Sequence, residues 1–263
     1  MTYSDQLNNK IILDKIPRKI VSLVPSQSEL LFDLGLSERI CGVTKFCILP
    51  KDKVRSKIKI GGTKNLNIEL IKSINPDLII AGKEENDKEQ IMQLKRYFPV
   101  WVSNVTNFES ALDMIREISF ITGEEFAGNK IINYIQKQYN KFENNNFKKH
   151  KALYFIWRKP YMVAGGDTFI GDMMEKAYFL NEAKQLNRYP AINSDNINDF
   201  NPEIILLCDE PYRFGDKHKI EFKKMYPKTQ VLLTNGQYFG WYGSRMKYAF
   251  KYFKELHKMI KSP

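Results

Sequence analysis

The chain has only three cysteines and three histidines in 263 residues. The cysteine count is odd, and Cys41, Cys47 and Cys208 form no C-x-x-C pair. This argues against a disulfide framework or a zinc site, and free buried thiols are expected. His150, His218 and His257 are not spaced as metal ligands, and each is expected on the solvated surface. A receptor for a bare transition metal needs several His and carboxylate ligands, so none is expected here. Long apolar runs are also missing. No stretch approaches the ~20 apolar residues of a membrane span, so no membrane insertion is expected. Met1 to Lys19 carries Asp5, Asn8, Asn9, Lys10, Asp14 and Lys15, with no apolar signal region and no lipobox-like cysteine. With Met1 as the native start, the expected location is cytoplasmic. The catalytic signatures H-E-x-x-H, G-x-S-x-G and G-x-x-x-x-G-K-[ST] are absent, and no enzyme activity is expected.

Positive charge is plentiful, with a formal net charge of +11. It is spread along the chain, and its densest cluster is Lys148-Lys149-His150-Lys151. A solvated basic surface is expected, without a nucleic-acid partner. Nucleic-acid binding would show as a salt-dependent affinity for DNA or RNA.

The main positive signal is an internal repeat. Asn67 to Ile80 and Asn193 to Leu206 align without a gap, 126 residues apart. Each reads as a short capped helix, an Asn-Pro turn, an acidic residue and an apolar strand. Proline stops the helix, and an unbroken apolar run fits a strand buried on both faces. The parallel continues downstream through acidic loops at Lys83-Glu84-Glu85 and Asp209-Glu210 to strands at Val100-Trp101-Val102 and Val231-Leu232-Leu233. Upstream, Lys19 to Val24 matches Ala152 to Trp157. Repeated β-loop-α units build parallel sheets with helices on both faces. Glu124 to Glu143 reads as a long helix, its apolar stripe formed by Phe126, Ile131, Ile132, Ile135, Tyr139 and Phe142. The expected architecture is α/β, with two lobes, each a parallel sheet flanked by helices, joined by a single long backbone helix. The expected divisions are an N-terminal lobe over 1–105, connecting helices over 106–150 and a C-terminal lobe over 151–263. A monomer is expected.

The stretch Ile20-Val21-Ser22-Leu23-Val24-Pro25-Ser26-Gln27-Ser28-Glu29-Leu30-Leu31-Phe32-Asp33-Leu34-Gly35 resembles the first strand and helix of the cobalamin-binding proteins of ABC importers. Gly61-Gly62-Thr63 and Asn67 to Ile80 resemble that family's next stretch. The family belongs to the helical-backbone metal receptors, a class III group of substrate-binding proteins that also holds haem and siderophore receptors. The resemblance covers about Pro17 to Met259. It implies delivery of cobalamin, or another corrinoid, to an ABC importer with a permease dimer and ATPase. Haem or a ferric siderophore is the alternative cargo. The resemblance implies export, which the N-terminus does not show. A cytoplasmic enzyme or salvage protein acting on such a cofactor, through Glu84, Glu85, Asp209 or Glu210, is therefore the alternative of another class. In the resembling family, carboxylates at the positions of Glu69 and Asp195 engage permease arginines. Helix capping would also favour acidic residues there.

In open α/β sheets the ligand sits outside the carboxyl ends of the strands, so an inter-lobe cleft is expected. Its expected residues in the first lobe are Ser26, Gln27, Phe46, Gly62, Lys83 and Glu84. Those in the second are Trp157, Arg158, Asp167, Tyr212, Arg213, Trp241, Tyr242 and Arg245. Aromatic faces stack on flat conjugated rings, and arginine forks pair with carboxylates. Phe46, Phe169 and Phe239 could equally be core. Gly165-Gly166-Asp167-Thr168 could cradle an anion at a helix start. Cys47, in a cleft loop, could approach a bound metal centre, although a buried small residue is the plainer reading.

Overall fold

The computed structural model describes residues 1–260, with the side chains of all but Ser194, Asp195 and Asn196. It divides into two compact units. The first holds Met1–Val105, Glu109–Ile135 and Tyr242–Arg245, and the second holds Thr106–Phe108, Gln136–Trp241 and Met246 onward.

The first unit opens with a hairpin of β1 (Thr2–Ser4) and β2 (Lys10–Ile12) that no sequence pattern announced. Its turn is tied by buried Asp5, whose carboxylate accepts the amides of Leu7 at 2.9 Å and Asn9 at 2.8 Å. Next come β3 (Ile20–Ser22), α1 (Pro25–Asp33), β4 (Ile40–Val43), α2 (Lys51–Arg55), β5 (Ile58–Lys59), α3 (Ile68–Ile74), β6 (Leu78–Gly82), α4 (Lys88–Lys95) and β7 (Val100–Ser103). The sheet order is β5-β4-β3-β6-β7, parallel throughout. All five residues of β6 are buried, as an unbroken apolar run requires when helices cover both faces. The core gathers Val21, Ile79 and Val100 from the strands with Ile71 and Leu94 from the helices.

Helix α5 (Phe108–Thr122) is followed at once by α6 (Glu125–Glu143), the expected long helix. The division between units falls inside α6, after Ile135. Ile131, Ile132, Ile135 and Phe142 are buried, but Phe126 is 75% exposed and stands outside the stripe.

The second unit contains β8 (His150–Trp157), β9 (Tyr161–Val163), α7 (Phe169–Lys176), β10 (Phe179–Asn181), β11 (Ala191–Ile192), β12 (Ile204–Cys208), α8 (Asp216–Met225), β13 (Gln230–Thr234), α9 (Gly236–Gly240) and α10 (Met246–Lys258). Strands β8, β12, β13 and β10 pair in parallel, whereas β9 runs antiparallel to β8 and β11 antiparallel to β9. The expected parallel sheet thus carries an antiparallel flank. Its core is aromatic: Phe155 packs on Phe222 at 5.0 Å, and Phe239 packs on Tyr154 at 4.9 Å and Phe253 at 4.6 Å.

The repeat is visible in the backbone. Strand order β3-β6-β7 in one unit matches β8-β12-β13 in the other. Asn75 and Asn201, the residues before the two matched prolines, both take left-handed conformations at φ 51° and 44°. Asparagine tolerates that region better than other non-glycine residues. The two short helices differ, because Ser194–Phe200 is a 3-10 helix where α3 is an α-helix.

Candidate functional site

In the first unit, the exits of all five parallel strands lie at the carboxyl edge of the sheet. Asn86 knots three of the segments there. Its amide donates to the Leu23 carbonyl at 3.2 Å and the Thr63 carbonyl at 3.0 Å, while its oxygen accepts the Gly82 amide at 2.9 Å. It is 5% exposed, and a lone asparagine carries no sequence pattern that would mark it. Phe46 stands 51% exposed on this edge, with the Lys45 ammonium 5.2 Å from its ring centroid. Gly62 is buried beneath them. A Cβ there would lie 3.3 Å from the Phe46 ring and 3.4 Å from the Lys45 stem, so glycine lets both lie flat on the backbone. Lys83 is exposed and Glu84 is half-buried. Beside it, burial and the neighbouring Glu84 charge push the Glu85 carboxyl above its ordinary value.

Other expected residues of this edge face inward. Ser26 is 4% exposed, and Gln27 is fully buried with its amide donating to Ser103 Oγ at 2.5 Å. Cys47 is 2% exposed and lies 3.0 Å from Ser28 Oγ and 3.2 Å from Thr44 Oγ1. Burial pushes its thiol above the usual range, as expected of a buried small residue.

Tyr242 and Arg245 were assigned to the second lobe, but Tyr242–Arg245 packs with the first unit. Tyr242 is 5% exposed, its hydroxyl 3.2 Å from where a Gly82 Cβ would sit. The Arg245 guanidinium forks onto Glu29, with Nε 3.0 Å from Oε2 and a terminal nitrogen 2.5 Å from Oε1. This pair, not a ligand carboxylate, holds the guanidinium in the structure.

In the second unit, Trp157 ends β8, Arg158 comes next, and Tyr212, Arg213 and Trp241 lie in the segments after β12 and β13. Trp157 is 40% exposed and meets Tyr212 edge to face at 5.7 Å. Arg213 is exposed and Trp241 is half-buried. Arg158 donates to both oxygens of Glu221, at 2.7 and 2.9 Å, and Tyr161 donates to the same carboxylate at 3.1 Å. The Arg158 guanidinium holds the Glu221 carboxyl below its ordinary value. Phe169 and Phe239, at 5% and 0% exposed, are core.

Asp167 leaves this edge, because antiparallel β9 carries the chain back toward the start of β8. The amides of Gly165 and Gly166 already donate to the carbonyls of Arg188 and Leu186, so the expected anion cradle has no free donors at these two positions. Asp167 itself accepts the Arg188 amide at 2.5 Å.

The histidines also depart from expectation. His218 and His257 are 2% and 9% exposed, and His150 lies in β8 against Glu203 at 3.0 Å. All three cysteines are free. Among the described residues, no group of three or more His, Cys, Asp or Glu is placed to hold a metal ion, and no helix is long and apolar enough to cross a membrane. A cavity of about 640 Å³ opens at the opposite edge of the second sheet, lined by Lys148, His150, Glu203, Lys219, Lys223 and Lys228 among others. It shares no residue with the carboxyl-edge set.

Glu69 is on the first turn of α3, its side chain 80% exposed and paired with Lys72 at 2.9 Å. Asn67 caps that helix by accepting the Leu70 amide at 3.0 Å. The side chain of Asp195 lies outside the described residues.

Residues 20–227 match a family described as periplasmic binding protein. The chain belongs to the periplasmic binding protein family. Among periplasmic binding proteins it is similar to the uncharacterised ABC transporter substrate-binding lipoprotein YvrC of Bacillus subtilis, at 26% identity over 80% of this chain and 69% of the relative. It is also similar to the vitamin B12-binding protein of Vibrio parahaemolyticus, at 21% identity over 71% of this chain and 69% of that one. Two solved structures share its fold. The haem-binding RhuT of Roseiflexus has a TM-score of 0.77 at 18% identity, covering 91% of this chain and 99% of that one. The siderophore-binding BauB has a TM-score of 0.80 at 16% identity, covering 99% of each. As a periplasmic binding protein of the ABC-importer type, the chain is a binding component and not an enzyme. The two-lobed class III architecture read from the repeat is the architecture of this group.

Proposed function

We propose that this protein captures a metal chelate for an ABC importer, and that the cargo is cobalamin or another corrinoid. The observation that carries the reading is a large solvent-facing ring on the carboxyl edge of each sheet, Phe46 at 51% and Trp157 at 40% exposure. Open α/β sheets take ligands at that edge. A ring held half in water gains most when a flat or apolar ligand covers it. The metal travels inside its organic ligand, so the protein supplies rings and polar groups in place of a coordination shell. Likeness to a vitamin B12-binding protein supports the corrinoid as first choice. The exposed cations Lys45, Lys83 and Arg213 favour a second reading, haem or a ferric siderophore, whose carboxylate or catecholate oxygens would pair with them.

A permease dimer and its ATPase are the implied partners, with Glu69 and Asp195 as equivalent docking carboxylates on the repeated helices. Equilibrium titration with cyanocobalamin, haemin and a ferric hydroxamate tests the reading. Saturable binding of one of them is expected, weakened roughly five- to 150-fold in Trp157→Ala, since a lost stacking ring costs on the order of 1–3 kcal/mol. Saturable binding of none overturns it.

A further inference from the structure

The hydrogen bonds around His218 have a direction that can be worked out. His218 is the third residue of α8 and is 2% exposed. The Gly215 backbone N–H points at its Nδ1 from 3.0 Å. A backbone amide only donates, so Nδ1 must accept and carries no proton. In the neutral ring the proton is then on Nε2. Nε2 lies 3.1 Å from Tyr212 Oη, so His218 donates and the phenol oxygen accepts. The phenol oxygen therefore accepts from the protein, and its own proton has no acceptor among the described residues. Rings hold the group in place: Phe214 meets Tyr212 at 4.7 Å and His218 at 5.4 Å, and Trp157 closes the other side at 5.7 Å.

We propose that His218 is a positioning residue for ligand recognition, fixing Tyr212 as a hydrogen-bond donor that reads a carboxylate, amide or phosphate oxygen on the rim of the chelate. The inference rests on the chelate-receptor reading and assigns one polar contact within it. Trp157 would supply the adjoining apolar face, so ring and donor recognise neighbouring parts of the same molecule.

Protonation of His218 would break the arrangement, because a proton on Nδ1 would face the Gly215 N–H donor. The groups facing the imidazole are Lys217 and Glu221 from its own helix, Arg158 after β8, and Tyr212 and Phe214 from the loop before α8. Burial, then Lys217 and Arg158, hold the imidazole below its ordinary value, which keeps it neutral at pH 7.

The test separates a positioning histidine from a capping one. His218→Gln preserves the cap, since glutamine at this helix position can accept the same backbone N–H, but it does not reach Tyr212. Against whichever of cyanocobalamin, haemin or the ferric hydroxamate binds the wild type, Tyr212→Phe and His218→Gln should each weaken affinity roughly three- to tenfold. The double variant should be no weaker than Tyr212→Phe alone. Wild-type affinity should fall as pH drops through the depressed His218 value, below the ordinary imidazole range, and Tyr212→Phe should lose that pH dependence. Normal affinity in His218→Gln, or additive losses in the double variant, would overturn the proposal. If the wild type binds none of the three, the receptor reading fails first. The tautomer can still be read without ligand from the imidazole ¹⁵N shifts, where a proton on Nδ1 at neutral pH would overturn the proposal by itself.

Discussion

Replacing Arg245 by methionine should unfold the first unit more readily without touching the ligand rings. The ion pair with Glu29 is nearly out of water, with side-chain exposures of 13% for Arg245 and 10% for Glu29. Two nitrogens reach two oxygens, so the geometry is bidentate. Taking away one partner of such a buried pair costs about 3–5 kcal/mol, because the remaining charge keeps its desolvation penalty and loses its attraction. At a urea slope of roughly 2–3 kcal/mol/M, that lowers the midpoint by about 1–2.5 M. Glu29→Met combined with Arg245→Met should recover most of the loss, since an apolar pair of similar volume often replaces a buried ion pair at little cost. Urea unfolding followed by circular dichroism measures all three variants. If Arg245→Met unfolds like the wild type but binds chelate poorly, the guanidinium belongs to the ligand site and the clamp assignment is refuted.

Gly61 has φ 101°, and a Cβ there would sit 2.9 Å from the Asn67 nitrogen and closer still to the Asn65 carbonyl. Gly61→Ala should therefore cost on the order of 1–3 kcal/mol in thermal or urea unfolding, and an unchanged midpoint would contradict it. His257 donates from Nε2 to the Ala177 carbonyl at 2.7 Å and lies stacked on Phe147 and Phe179, and burial holds its imidazole below the ordinary value. Below pH 6.5 the unfolded chain takes up a proton that the folded one refuses, so stability falls as pH drops toward the folded value. The slope is at most about 1.4 kcal/mol per pH unit. Urea midpoints between pH 7.5 and 5.5 should show a shallower slope in His257→Gln, and equal slopes would remove His257 from the account. Glu69→Lys with Asp195→Lys should abolish transporter-dependent uptake while chelate affinity stays within twofold. Loss of affinity, or normal uptake, would contradict docking at those positions.

The repeated strands were legible because burial on both faces writes itself as an unbroken apolar run, and β6 and β12 begin at the matched residues Leu78 and Ile204. The Asn-Pro turns were legible because proline ends a helix whatever surrounds it. Three-residue β9 carried no periodic signal, and its antiparallel course moved Asp167 off the expected edge. The site was less legible for the same reason. Composition announced aromatics and arginines at the strand exits but not which way they turn. Phe46 and Trp157 face water, whereas Tyr242 is buried and Gln27 and Arg245 are held by Ser103 and Glu29. The last of these pairs lies 216 residues apart. A contact over that span leaves no local pattern. His218 was misread as a surface residue for a related cause: its burial is decided by Tyr212 and Phe214 folding back over α8, not by its own neighbours in sequence.

The three tryptophans offer the most direct test of the central claim, that the exposed rings at the carboxyl edges meet the chelate. Trp101 is fully buried with its indole donating to the Ser4 carbonyl at 3.2 Å, and serves as an internal control. In indole ¹H–¹⁵N spectra recorded during titration with cyanocobalamin, the account predicts that the Trp157 and Trp241 signals shift while Trp101 stays in place. Saturable binding that leaves Trp157 and Trp241 unmoved would contradict it.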